Sequence, residues 1–370
     1  MVIRDIQQIL EKWAPPALAW ERDNVGLQIG SPERKVRRIV VALDTTDGVI
    51  DEAQKQRADL VISHHPLLFH PPRALRETDR IGRMVQRLIQ NKIAVYAAHT
   101  NLDFTSGGVS FALAERLGIE HPSILSGNHR VEKKVVTFVP RDHADSVRSA
   151  MAEAGAGEIG YYTSCSFQVE GSGSFRAGAG AHPAVGRSGV LEQIDEVRLE
   201  MIVPEWKLAG VLDALRQSHP YEEVAYDVYS LDNISRKFGA GAIGALAKPV
   251  TLRDLLRHVS SALGVPQLRY CGRLQSRIAT VAVCGGSGAE FIDAALRGRA
   301  DAFITADVRY HNFQEPDGRM ALIDAGHFET EHPVVQKIVS MLKNSPLVRK
   351  ENVRISASRA AKNPVQYFSS

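Results

Sequence analysis

Cysteine is scarce in this 370-residue chain: Cys165, Cys271 and Cys284 stand far apart and form no CxxC pair. That excludes a disulfide framework and a cysteine-built zinc knuckle, and it fits thiols kept reduced in a cytoplasm. Long apolar runs are missing as well. Spanning a bilayer takes roughly 20 apolar residues, and no stretch comes near that. The opening MVIRDIQQILEKWAPP has charges among apolar residues at helical spacing, where a secretory leader would have an unbroken core. Charge of one sign is not concentrated anywhere. The formal net charge is only +3, with Lys and Arg scattered, which argues against nucleic acid as the main partner. No GxSxG elbow or Cys–His pairing points to a covalent nucleophile. What is present, 44% apolar and 24% charged residues, is the composition of a soluble globular protein of two or three domains.

Along the chain, apolar spacing predicts a first helix over 3–13, closed by Pro15 and Pro16. Asp23-Asn24 and Gly26 read as turn signals in the next loop. RRIVVALDTT, ADLVISHH and NKIAVYAAHTNLDF each run from an apolar strand into a polar cluster, with helical segments between them. Strand alternating with helix at this spacing means an α/β unit with a largely parallel sheet. From about Val131 the pattern changes to β-α-β-β-α-β, the ferredoxin-like order, and Gly239, Gly241 and Gly244 suggest flexible sequence at its far end. The expected division is a discontinuous α/β domain, 1–130 with 246–370, interrupted by an inserted ferredoxin-like α+β domain, 131–245. The tail VRISAS alternates as an edge strand would.

The polar residues collect where strands end, which is where open α/β sheets present function. Asp44, His64-His65, His99 and Asp103, Asp307 and His311, and Asp324 and His327 all stand at such ends. Adjacent side chains on an extended backbone point to opposite sides, so His64 and His65 reach two different ions more easily than they clamp one. His327 and Glu331 are four apart at the start of a helix, hence on one face. Imidazole and carboxylate donors suit zinc, iron, manganese or nickel, and a carboxylate such as Glu331 can bridge two ions. Asp307 and His311 share the four-residue spacing, and we assign them to hydrogen-bonding a ligand imidazole or touching substrate. CGGSG (284–288) lacks the Lys and Ser/Thr of a P-loop, so it reads as a tight turn. His219 in HPYEE has no companion cluster and reads as structural or interfacial.

These residues make the sequence recognisable. WERDNVGLQIG, ALDTT, VISHHPLLF, AAHTNLD, CGGSG, ITADVRYHNFQE, LIDAGHFETE and NPVQYF together resemble the GTP cyclohydrolase 1 type 2 family, the NIF-three-like proteins with a dinuclear metal centre. The resemblance covers nearly the whole chain. It implies an α/β sandwich core, two divalent metal ions per chain, and five ligands at matching positions: His64, His65, Asp103, His327 and the bridging Glu331. GSGSFRAGAGAHPAVG and HPYEEVAYDVY resemble the PII-like domain of longer members, with small departures from its usual loop sequence. A homohexamer, a trimer of dimers with metal sites facing a cavity, is implied too. The function expected is a metal-dependent hydrolase acting on a nucleotide or related small molecule in the cytoplasm, with His99, Asp307 and His311 orienting water or substrate. The rival expectation is a metal-binding regulatory protein whose insert senses a ligand or partner.

Overall fold

The computed structural model describes residues 1–129 and 131–368, and the chain divides into two compact units, residues 1–127 with 236–370 and residues 128–235. The first unit holds two sheets. One runs in the order Gly26–Ile29, Ala94–Ala97, Leu60–Ser63, Arg38–Ala42, Arg354–Ala357; the last four strands are parallel and the first is antiparallel to its neighbour. The residues of its central strands are buried on both faces, which explains the continuous apolar runs. Ile39, Val41, Leu60, Ile62 and Tyr96 pack with helices Ile3–Trp13 and Pro333–Asn344. Val40, Val61 and Val95 pack on the other side with helices Asp47–Gln56 and Arg80–Gln90. The tail strand Arg354–Ala357 lies at the edge. Just beyond it the Glu52 carboxylate anchors the chain by accepting from the Ser358 hydroxyl and the Arg359 and Ala360 amides.

The second sheet runs Arg269–Cys271, Ala321–Asp324, Ala302–Ala306, Arg277–Ser287, Ile234–Thr251, Ile119–His129, with the Ala302–Ala306 strand parallel to both neighbours. Local chemistry starts and stops its covering helix. Thr251 accepts from the Asp254 amide at the N-terminus of Leu252–Leu263, and Gly264 closes the other end in the left-handed conformation at φ +70°. The glycines expected to be flexible are instead strand residues: Ala242–Ala245 pair with Thr280–Val283. At Gly244 a side chain would collide with the Glu120 carbonyl and Ile119, so close approach of backbones, not mobility, requires glycine there. Residues 236–245 accordingly belong to the first unit and not to the insert.

The second unit has the order Glu132–Pro140, Ala144–Glu153, Phe167–Arg176, Leu191–Pro204, Leu208–Ser218, Tyr226–Ser230. Its four strands form an antiparallel sheet, the third strand lying between the second and the first, and the fourth on the first strand's far side. Val135, Val139, Leu199, Met201 and Val203 pack against Val147, Met151, Val211 and Leu215 of the two helices. His219 is buried and fully engaged, its Nε2 3.0 Å from the Phe138 carbonyl and its Nδ1 accepting from the Tyr221 amide at 3.1 Å. No helix among the described residues is long and apolar enough to cross a membrane.

The parallel sheet that carries His64 and His65 at one strand end should be sensitive to its central residues. Ile62 is fully buried, so Ile62→Ala is expected to cost about 2–5 kcal/mol. A urea titration should show a lower midpoint with an unchanged slope.

Candidate metal centre

The Leu60–Ser63 strand ends directly before His64, and the His64 and His65 amides still donate to the Ala42 and Leu43 carbonyls at 3.2 and 2.9 Å, so the backbone under both imidazoles is fixed by the sheet. His64 and His65 do not part to opposite sides as the sequence suggested: past the strand end their rings lie 5.0 Å apart at 44°, with donor nitrogens within 4.8 Å of each other. Glu331 receives both. It lies on the short helix His327–Glu331, is 4% exposed, and presents a different oxygen to each histidine. His65 Nε2 is 2.9 Å and His327 Nε2 3.1 Å from Oε2, while His64 Nε2 is 3.8 Å from Oε1 and 3.6 Å from Asp103 Oδ1. Asp103 arrives on the four-residue helix Thr100–Asp103, just past the Ala94–Ala97 strand.

His64 Nε2 and Asp103 Oδ1 are buried and have no hydrogen-bond partner. Such orphaned atoms are costly, and two converging donor atoms beside a shared carboxylate are what a cation would satisfy. Each imidazole is also held from behind. His64 Nδ1 is 2.7 Å from the Ala98 carbonyl, His65 Nδ1 2.8 Å from Asp44, His327 Nδ1 2.6 Å from Asp307, and His99 Nδ1 2.9 Å from Asp23. Carbonyls and carboxylates only accept, so every Nδ1 carries the proton and donates it. In the neutral rings this leaves Nε2 as a bare lone pair aimed at the cluster, the tautomer a metal ligand needs. The donor atoms of His64, His65 and His99 lie within 4.8 Å of one another, as do those of His65, His327 and Glu331, and both sets could hold a metal ion. The residues therefore fit the group that the sequence implied.

The electrostatics point the same way. Burial would lower the His65 pKa, but hydrogen bonds to Asp44 and Glu331 overcome it and raise the group to about 10. His327 is raised to about 9, chiefly by Glu331 and then by Asp307 against the effect of burial. Burial lifts Asp103 to about 7. Burial acts upward on Glu331 too, yet the imidazoles of His327, His64 and His65 around it hold it well below the usual carboxylate range. Protons on imidazoles thus supply positive charge where the geometry would place a metal ion.

All five residues expected as ligands come together, and His99 joins them. Asp307 supports His327. His311 is not brought in: Asp307 sits at φ +53°, so the chain leaves it without a helical turn, and His311 opens the exposed turn His311–Gln314. No hydrogen bond or ion pair among the described residues links it to the cluster. Sequence reasoning missed Asp23, which has the appearance of a turn residue. Its buried carboxylate accepts from His99 Nδ1 and from the Thr100 amide at 3.0 Å, bonds that outweigh burial and hold its pKa far below normal. Asp44 stands at its strand end with no partner evident in the sequence, and it proves to be the one on His65.

CGGSG also has a different role from a simple turn. The strand Arg277–Ser287 continues through it, the Gly286 amide donates to Thr330 Oγ1 at 3.0 Å, and the Gly285 amide donates to Ser110 Oγ at 3.3 Å. These amides are therefore engaged within the protein, not open to a phosphate. A Cβ on Gly286, at φ +64°, would overlap Glu331 Oε1. Gly286→Ala is therefore expected to displace that carboxylate and weaken metal binding by about 10–100-fold while the far-ultraviolet circular dichroism spectrum stays unchanged. Titration against a competing chelator measures it.

The family model for Duf34/NIF3 (NGG1p interacting factor 3) matches residues 1–364. A Halalkalibacterium halodurans protein named GTP cyclohydrolase 1 type 2 homolog is 38% identical over 364 residues, covering 98% of this chain and 97% of that one. A Bacillus subtilis protein of the same name is 37% identical over 372 residues, covering 99% and 98%. Among solved structures, a Bacillus cereus protein related to NIF3 superposes with a TM-score of 0.84 at 39% identity, covering 100% of this chain and 99% of that one. The chain belongs to the DUF34/NIF3 family.

Proposed function

We propose that this protein is a dinuclear metal-dependent hydrolase acting on a nucleotide or related small molecule. The observation that carries the reading is the division of Glu331 between two half-sites, Oε1 with His64 and Asp103, Oε2 with His65 and His327. His64, His65, Asp103, His327 and Glu331 would hold two divalent ions drawn from zinc, iron, manganese or nickel. Such a pair would supply Lewis acidity, acidifying water and neutralising charge on the attacked centre. The chain's own residues do the positioning. Asp44 and Asp307 keep His65 and His327 turned so that Nε2 faces inward. His99, oriented by Asp23, presents Nε2 beside His64 and His65, where it would accept a proton from water or substrate. The relatives' name, GTP cyclohydrolase 1 type 2 homolog, supports a nucleotide as substrate. A homohexameric ring enclosing the centres is part of the same reading.

A second reading, a metal-binding regulatory protein with a PII-like ligand sensor, draws on one feature. The second unit has a cavity of about 730 Å³, with Phe138, Val169, Phe175, Arg198 and Tyr221 in its wall.

Elemental analysis and a turnover panel of nucleotides and phosphoesters test these together. Purified protein should carry about two transition-metal ions per chain, and the double variant His65→Ala, Glu331→Ala should lose them along with all turnover. Metal-replete protein that converts nothing in the panel ends the hydrolase reading and leaves the sensor. In that case ligand binding should depend on Tyr221 and Arg198, not on Glu331.

A further inference from the structure

One residue at the centre adopts a backbone conformation uncommon outside glycine. Asp307 comes directly after the Ala302–Ala306 strand and sits at φ +53°, in the left-handed region. Aspartate enters this region more readily than most residues with a Cβ, but the conformation is uncommon outside glycine and is held in place by the surroundings. Here they are identifiable. The amide of Val308, the next residue, donates to Asp324 Oδ2 at 3.0 Å, and the Val308 carbonyl accepts from the Arg269 guanidinium at 3.0 Å. Arg269 and Asp324 are themselves an ion pair, with the guanidinium lying over the Phe313 ring. The backbone immediately after Asp307 is thus gripped through both its N–H and its C=O by the two members of one pair.

The other oxygen of the same carboxylate reaches the opposite side. Asp324 Oδ1 accepts from the Gly326 amide at 3.2 Å, and Gly326 is the residue before His327. Asp324 is 6% exposed and ends the Ala321–Asp324 strand, so it is a fixed point. One buried carboxylate therefore sets two backbones at once: that of Asp307 through Val308, and that of His327 through Gly326. Between those two residues runs the 2.6 Å hydrogen bond that fixes the His327 tautomer.

We propose that Asp324, with Arg269, is a positioning residue that holds Asp307 in its left-handed conformation so that its carboxylate orients His327. The inference rests on the metal reading given above and adds a cause for one half of it. The hydrogen bonds of Asp324 go to Arg269, Val308 and Gly326, and none goes to the five residues that would hold the ions. Its effect should fall on the ion that His65 and His327 would hold and spare the one that His64 and Asp103 would hold.

The experiment titrates metal-free wild type, Asp324→Asn, Asp307→Gly and His327→Ala with zinc alone, by calorimetry with a competing chelator, alongside thermal melts of the metal-free proteins. Wild type should take two ions. Asp324→Asn and Asp307→Gly should each weaken one of them by about 10–100-fold, the same ion that His327→Ala removes, and leave the other unchanged. Glycine adopts this left-handed conformation without a steric penalty, so metal-free Asp307→Gly should melt at or above the wild-type temperature while binding zinc worse. A purely structural Asp307 would give the opposite pairing, a lower melting temperature with unchanged affinity, and that result overturns the proposal. Equal weakening of both ions overturns it too. If Asp324→Asn does not fold, Arg269→Ala, which releases the Val308 carbonyl, takes its place: the same single-ion weakening is expected, and unchanged affinities overturn the proposal. Wild type that takes no zinc defeats the metal reading and this inference together, whereas a two-ion wild type with unaffected variants defeats this inference alone.

Discussion

The Glu331 carboxylate is the constraint on which the rest of this centre depends. It is nearly inaccessible to water, it has imidazole nitrogens on both of its oxygens, and its charge is kept by them against strong desolvation. A buried anion with cations or donors on each side is stable as a unit and unstable if one side is removed. Much of the surrounding structure can be understood as holding that unit. Gly286 gives the carboxylate room, Thr330 ties the glycine strand to the helix, and the pair Val334 and Val335 seats the next helix in the core. The fold contributes by bringing the start of one C-terminal helix against strand ends from the first hundred residues.

A second layer of hydrogen bonds gives the cluster its chemical direction. Four imidazoles each donate through Nδ1 to a carbonyl or carboxylate, so four Nε2 atoms face inward. Without these partners the rings could flip or change tautomer, and the same residues would make an ordinary polar patch. Three of the four partners are aspartates at or near strand ends or in a preceding loop. This accounts for the concentration of Asp with His along the sequence better than a ligand role for every one of them.

The strands and the first helix were legible because their apolar runs and spacing are strong local signals; the expected 3–13 helix is Ile3–Trp13. The residues of the cluster were legible for a related reason, since His64-His65 and the His327–Glu331 spacing are local patterns whose geometry comes from strand and helix. What escaped is non-local. Asp23 partners a histidine 76 residues away, and nothing near it in sequence announces that. His311 misleads because four-residue spacing implies a shared face only in a helix, and the left-handed Asp307 breaks the helix. The glycines at 239–244 and in CGGSG suggested looseness or a turn. In both places a neighbouring backbone or carboxylate lies too close for a side chain, which sequence composition does not reveal.

In the proposed centre two ions would share Glu331 through opposite oxygens, with each histidine engaged through Nε2. Anomalous diffraction at the zinc edge from crystals of zinc-loaded protein tests it directly. Two peaks are expected, one beside His64 and Asp103 and one beside His65 and His327, with the Glu331 carboxylate between them. Peaks on Nδ1 atoms, or zinc bound elsewhere with Glu331 unengaged, would contradict it.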